Sequence, residues 1–397
     1  MRALICGAGI AGLTLAGRLE HHGWNVTLVD NSPGPRRHGY MIDFSGPGFE
    51  AVTAMGLESR LRQMASSVER FRYIDDAGRT TVSLDYDRFV KALGGQIVSI
   101  MRPDLEQMLR EALGDGVDLR YELTVDLVTD STAVLSDGTA IDADLIVGAD
   151  GIHSRIRSLT FGSEADYLRD LGMNTSAFVF EDQAIFDEVR DQFVLTETLN
   201  RQMGLYGLDD GRVAAFTVHR CDEPASSDNA RQEVRAAFSG VGPLVDRALA
   251  NCPPSEEMYS DRVAQIVMPH WTTSRVALVG DAAYAVSLVA GQGASLGIAG
   301  AYILAEMLAS DRSVPEALAE YERRWRPTAT QIQSAARNQV IEVFLPRSKR
   351  TLLLRRWGFR AMRIPGMSRV MTGSLFPKGS RSITELSTAG SSQLRNA

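Results

Sequence analysis

Four clusters of glycines and charged residues are spaced for chemistry. The first lies in "RALICGAGIAGLTLAGRLEHHGWNVTLVD", where Gly7, Gly9 and Gly12 form a GxGxxG pattern directly after an apolar strand. In that context the first glycine allows a tight turn. The second lets a pyrophosphate approach the backbone, and the third lets helix and strand pack closely. Ala11 falls inside the turn's helix start, where free N–H groups and a partial positive charge face a phosphate. Asp30 ends the next strand and is placed to accept hydrogen bonds from the ribose of an adenosine. Strand, turn, helix, strand and acid together predict a dinucleotide site.

The other three clusters come later in the chain. "SIMRPDLEQML" (99–109) places Arg102 just before a helix. "DADLIVGADGIHSRIR" (142–157) is a buried strand ending near Asp150 and Gly151, followed by a helix start with Ser154, Arg155 and Arg157. "RVALVGDAAYAVSLVAGQG" (275–293) runs from a strand through Gly280 and Asp281 to Gly291, Gln292 and Gly293 before another helix. The first cluster does not choose between NAD and FAD; the later ones bear on that choice.

The elements that must position these residues follow from periodicity. Residues 103–113 have proline at a helix start and helical apolar spacing. Residues 117–147 read as short strands with a turn at Asp137 and Gly138. Residues 172–220 and 256–268 alternate as strands, with a helix near 229–239 between them. Residues 294–311 and 315–345 read as helices, as does 347–370, with a break at Pro365 and Gly366. The last stretch is rich in serine, glycine and threonine and reads as a loose tail. The chemical clusters occupy both ends of the first 300 residues, so the fold class is α/β with two interleaved domains.

Composition narrows the classes. The 397 residues are 44% hydrophobic, with a formal net charge of −7, as in ordinary globular proteins. No apolar run approaches the roughly 20 residues of a membrane span, and the expected location is cytoplasmic. Three distant cysteines and six scattered histidines form no metal-ligand or disulfide pattern. Residues 347–369 carry eight basic residues and no acid. With leucine, tryptophan and phenylalanine among them, they would lie on an anionic membrane or cover an acidic face of their own protein. The expectation is an intramolecular helix, with membrane contact the lesser alternative. Nucleic acid is not an expected partner, because the rest of the chain is strongly acidic.

In this order, the four clusters resemble those of the class A flavoprotein monooxygenases, with the para-hydroxybenzoate hydroxylase fold. The resemblance spans about residues 1–330. "GYMIDFSG" (39–46) and "GASLGIAGAYILAEML" (293–308) resemble the branch with tetracycline-inactivating monooxygenases and natural-product hydroxylases. It implies a Rossmann-like FAD-binding domain over 1–170 and 270–330, a substrate-binding β-sheet domain over 171–269, C-terminal helices over 331–370 and a flexible tail over 371–397. It implies FAD as cofactor, NADPH or NADH as transient reductant, and O2 as co-substrate. Oxygen would pass from a flavin C4a-hydroperoxide to an aromatic, phenolic or enolic polycyclic molecule. A dehydrogenase, reductase or oxidative cyclase on the same fold is the alternative; a non-enzymatic flavin sensor is a further one.

The resemblance also assigns roles. Arg102 would meet the FAD pyrophosphate or ribitol. Arg36, with Arg37 as fallback, would lie near the adenosine and phosphates. Asp281 would accept a ribitol hydroxyl, and Gly291, Gln292 and Gly293 would start a helix under the flavin ring. Asp150 and Gly151 belong to a fingerprint tied to both FAD and the nicotinamide. Asp43 is expected to contact flavin or substrate. Because the chemistry is borne by the flavin, no catalytic side chain is expected. The chain departs from the common pattern at Tyr284 and Leu288, where histidine and proline are usual, and at Ser287. Tyr284, Leu288, Phe216 and His219 are the candidate substrate contacts. Gly300 stands where an acid is frequent and reads as a helix-surface change. For His153 a local structural role is expected.

Overall fold

Strand β1 (Arg2–Cys6) is apolar and buried after its first residue, as a parallel strand covered on both faces must be. It sits in the middle of a five-stranded parallel sheet. The order is β17 (Val276–Leu278), β11 (Leu145–Gly148), β1, β2 (Asn25–Val29) and β7 (Val117–Arg120). Register aligns the carboxyl ends: Cys6 pairs with Val29 and with Gly148, and Gly148 pairs with Leu278. The residues that follow these ends are Gly7, Asp30, Ala149 and Val279, so three of the four chemical clusters emerge along one edge. That edge is where open parallel sheets bind ligands.

The computed structural model describes residues 1–36, 39–92, 95–129, 132–223, 226–287, 291–337, 341–361 and 382–388. The expected turn at Asp137 and Gly138 joins β9 (Thr132–Leu135) to β10 (Ala140–Asp142), which pair with β8 (Val125–Val128) in a three-stranded sheet. The helix expected at 229–239 spans Ala230–Phe238. The α/β class and the interleaving hold.

The second layer is a seven-stranded sheet in the order β16, β12, β15, β14, β13, β4, β5. Five strands lie within or almost within the expected 171–269: β12 (Leu168–Phe180), β13 (Gln192–Thr196), β14 (Arg201–Gly207), β15 (Val213–Arg220) and β16 (Tyr259–Ile266). The other two do not. β4 (Arg70–Ile74) and β5 (Thr80–Asp85) come from the segment assigned to the first domain. β4 lies parallel to β13, from Gln192 opposite Arg70 to Thr196 opposite Ile74. A parallel pairing needs a long crossover, which no local pattern announces. A ribbon of β3 (Met41–Ser45) and β6 (Ile97–Met101) joins the two halves. It is held to the sheet where the Met41 N–H donates to the Tyr206 hydroxyl at 2.7 Å.

The two C-terminal expectations fare differently. The helices Val314–Ala335 and Lys349–Ala361 are present, while the break at Pro365 and Gly366 lies outside the described residues. The loose-tail reading of 371–397 fails at Ile383–Thr388, which is helical. Ile383 and Leu386 are buried against the helices Pro47–Ala54 and Gly293–Leu308. Ser382 and Glu385 hydrogen-bond to each other's backbone N–H, the capping box of an S-x-x-E sequence. The Arg324 guanidinium donates to the Leu386 carbonyl at 2.6 Å.

Candidate active site

A long cleft runs along the carboxyl edge of the parallel sheet, roughly 1600 Å³ counting its open mouth. Gly7 turns at φ +106°, and a Cβ there would strike the backbone of Ala149. A Cβ on Gly12 would lie 1.8 Å from the Gly7 carbonyl oxygen, so the helix Ile10–His21 packs directly on the turn. No side chain caps that helix, and its first N–H groups have no intrahelical acceptor. They sit at the cleft wall with Gly9 and Ala11.

Asp30 is buried and accepts from the Ala8 N–H at 2.7 Å and from the Ser32 N–H and hydroxyl at 2.9 and 2.6 Å. Burial alone raises its pKa. The Ser32 and Ala8 hydrogen bonds and the Arg36 charge outweigh burial and hold it below the usual carboxylate range. It stays anionic at the cleft.

Arg36 and Arg102 both line the cleft and share one buried partner. Glu106 Oε1 lies 3.6 Å from Arg36 and 3.5 Å from Arg102, and it makes no hydrogen bond. A buried carboxylate one helical turn beyond Arg102 thus keeps two cations close together. The sequence reading passed over Glu106, although its i,i+4 spacing from Arg102 was legible. Arg37 lies outside the described residues.

Asp150 and Gly151 reach the cleft, but the Asp150 carboxylate is engaged locally. It accepts from the Ser154 hydroxyl at 2.5 Å and the Ile156 N–H at 3.0 Å, fixing the helix Arg155–Thr160. Burial still pushes its pKa up, against those bonds. Arg157, with a fully buried side chain, donates to the carbonyls of Ala282 and Ile152 at 3.1 and 2.6 Å and pairs with Glu164 at 2.9 Å. It fastens the third cluster to the fourth.

Asp281 opens into the cleft after Gly280, whose φ is +66°. The surrounding walls raise its pKa by desolvation, while Arg102 pulls it down. The loop beyond is fixed from behind. The Gln265 amide donates to the Val286 carbonyl at 3.0 Å, and the Gln333 amide donates to the Ala285 carbonyl at 2.9 Å. Ser287 lines the cleft at φ +88°, with its hydroxyl unpaired among the described residues. Gly291 (φ +64°) and Gly293 also line it, the latter starting the uncapped helix Gly293–Leu308. Gln292 is that helix's N-cap residue.

Several expected contacts lie elsewhere. Tyr284 does not reach the cleft: it is 1% exposed and packs on Trp271 with ring centroids 4.7 Å apart. Desolvation pushes its pKa up to about 12. Gly300 is buried, not on a helix surface. A Cβ there would lie 1.9 Å from the Tyr284 hydroxyl and 2.7 Å from the Trp325 indole nitrogen. The bulkier residue and the glycine are therefore one packing solution. His219 faces the far side of the sheet, edge-on to Phe238, because strand alternation sets it opposite Phe216. Phe216 is on the other face, 5.9 Å from Tyr40, where it backs the cleft wall without joining its lining. Asp43 stands off the cleft lining on β3, held by Ser99 at 2.5 Å and by Tyr86 at 3.4 Å. Leu288 lies outside the described residues.

The sheet adds residues that the sequence reading missed. Tyr259, Asp261, Arg262 and Thr175 line the cleft from β16 and β12, and Tyr40 joins them from the loop before β3. Tyr40 and Tyr259 lie 6.2 Å apart. For Tyr259 and Asp261, ordinary strand alternation was the only signal. His153 lines the cleft's edge, between Glu164 at 3.1 Å and Asp261 at 3.6 Å.

These features fit FAD. A side-chain-free turn and an uncapped helix suit a pyrophosphate, two arginines supply countercharge, and an anionic Asp30 suits a ribose. Gly280 and Gly293 keep the wall around Asp281 free of bulk.

Known proteins bear this out. The FAD binding domain family matches residues 1–336. A flavin-dependent monooxygenase from an unknown prokaryotic organism is 30% identical over 338 residues, covering 82% of this chain and 86% of the relative. Monooxygenase CTB7 of Cercospora beticola is 32% identical over 351 residues, covering 81% and 82%. The crystal structure of tetracycline destructase Tet(51) superposes with a TM-score of 0.79 at 26% identity, covering 95% of this chain and 99% of that one. With its glycine turn, arginine pair and parallel-sheet cleft, this chain belongs to the FAD-binding flavin-dependent monooxygenases, with the class A fold.

Proposed function

We propose that the protein hydroxylates an aromatic, phenolic or enolic polycyclic small molecule, consuming NADPH or NADH and O2. The observation that carries this reading is the aromatic pair Tyr40 and Tyr259 on the cleft wall, backed by further rings. Tyr40 stands between Phe216 and Tyr259, and Phe216 lies 6.4 Å from Phe344. Such faces suit a flat, electron-rich ring. The structural likeness to tetracycline destructase Tet(51) supports a polycyclic substrate class.

FAD, when bound, supplies the redox and oxygen-transfer chemistry. The chain's own residues bind, orient and shield. Arg36, Arg102 and the first N–H groups of the Ile10–His21 helix hold the phosphates, Asp30 a ribose, and Asp281 the ribityl chain. The uncapped helix at Gly293 favours negative charge at the ring. The inner face of the seven-stranded sheet excludes water from the substrate. Asp150 and Gly151 would act through the helix and turn they fix.

The test screens aromatic natural products for stimulated NADPH or NADH oxidation under labelled dioxygen. The expected result is a product heavier by one labelled oxygen atom. Substrate-dependent NADPH consumption with no label in the product would replace hydroxylation by a dehydrogenase, reductase or cyclase reaction.

A further inference from the structure

The C-terminal basic helix Lys349–Ala361 has two faces with different occupants. Its inner face is docked on the seven-stranded sheet. Arg356 pairs with buried Glu197 at 2.7 Å. The Arg355 guanidinium lies 5.0 Å from the Tyr73 ring centroid and donates to the carbonyls of Val343 and Phe344 at 3.2 and 3.1 Å. Phe359 stacks on Tyr73 at 5.2 Å.

The outer face has no such partner among the described residues. Arg350, Leu353, Leu354 and Trp357 are spaced i, i+3, i+4 and i+7, so they form one stripe. Leu353, Leu354 and Trp357 are 50%, 72% and 69% exposed. Lys349 and Arg350 are exposed at the stripe's N-terminal end, next to Arg347, which pairs with Glu342 at 2.9 Å. From 347 to 381 the sequence has ten basic residues and no acid, in a chain of net charge −7. Apolar side chains with cations at their border, on a helix whose other face is anchored, match an interfacial membrane contact. A second copy fits worse, because a two-fold contact would set the same cations against each other.

We propose that this face seats the protein on an anionic phospholipid surface. Leu353, Leu354 and Trp357 enter the boundary between headgroups and acyl chains, and Lys349 and Arg350 meet lipid phosphates. The contact lies on the membrane and does not cross it: among the described residues no helix is long and apolar enough to span. Through Glu197 and Tyr73 the helix would bring the substrate-side sheet to the bilayer.

The chain carries its own probe. Of four tryptophans, Trp24, Trp271 and Trp325 are 6%, 2% and 0% exposed, so only Trp357 should respond to lipid. Full-length, FAD-loaded protein would be sedimented with vesicles of phosphatidylcholine alone or mixed with phosphatidylglycerol. Expected are binding to the anionic vesicles only, weakening with salt, and a blue-shifted emission quenched by brominated lipid. Lys349→Glu with Arg350→Glu should weaken binding at least about tenfold. Leu354→Ser with Trp357→Ser should abolish it, with flavin content unchanged in both variants. Failure to bind anionic vesicles, or equal binding by the charge-reversed variant, overturns the proposal. So would a self-association seen by ultracentrifugation that Leu354→Ser abolishes, since a second copy would then occupy the face.

Discussion

The cleft's two walls are built in different ways. On the parallel-sheet side the decisive features are backbone turns: Gly7 at φ +106°, Gly280 at φ +66°, and a Gly12 that rests on the Gly7 carbonyl. On the antiparallel side they are side chains, namely Tyr259 and Asp261 on an ordinary strand, with Phe216 behind Tyr40. A constant cofactor suits a site shaped by main chain, which tolerates almost no added atom, with Asp30, Arg36, Arg102 and Asp281 supplying the charges. A variable substrate suits a wall whose side chains change without moving the strands beneath them.

The most severe way to break this contrast is Gly12→Ala. Its Cβ would clash with main chain rather than a movable side chain. We expect a loss of about 3 kcal/mol in denaturant unfolding and a nearly flavin-free protein by absorbance ratio. Arg102→Ala should weaken FAD binding roughly 10- to 100-fold in a fluorescence titration of apoprotein. Gly300→Ala should cost about 2 kcal/mol by overpacking, and adding Tyr284→Phe should recover part of it. No recovery would mean that the tyrosine and the glycine are not one packing solution.

On the other wall, Phe216→Ala should leave FAD affinity within about twofold while changing which aromatic compounds stimulate NADPH oxidation, because its contacts are to Tyr40 and Phe344. A large loss of FAD affinity would erase the distinction between the walls. The smallest effect is expected where the walls meet. His153 is raised to about 9 by Asp261 and Glu164, above its unfolded value near 6.5. Its contribution is therefore complete below about pH 6.5 and fades as the pH rises through 9. His153→Ala should lower the melting temperature by about 1–2 °C at pH 6 and by nothing measurable above pH 10.

The same contrast decides what could be read from sequence. The turns were legible because only glycine serves at Gly7, Gly12 and Gly280, and because Asp30 and Asp281 follow strands at fixed distances. Arg102 was legible from Pro103 at a helix start. The antiparallel wall was not. Tyr259 and Asp261 become cleft residues only once β16 pairs with β12, and β4 joins β13 across more than a hundred residues. Tyr284 misled because a departure from a family pattern was read as a change of ligand contact, when Gly300 had made room for it in the core. The capping box at Ser382 and Glu385 was present and went unused, its signal diluted by the serine- and glycine-rich sequence around it.

The strand order of the parallel sheet also sets a schedule. β1 is complete once residue 6 has been made, but its sheet lacks an edge until β17 at 276–278 emerges, and Asp281 follows that strand. At ribosomal rates the interval is on the order of tens of seconds. A growing chain therefore carries the glycine fingerprint long before it can complete the cleft, and we expect flavin to load late in biogenesis. A chain ending before residue 276 should display the fingerprint and hold no flavin.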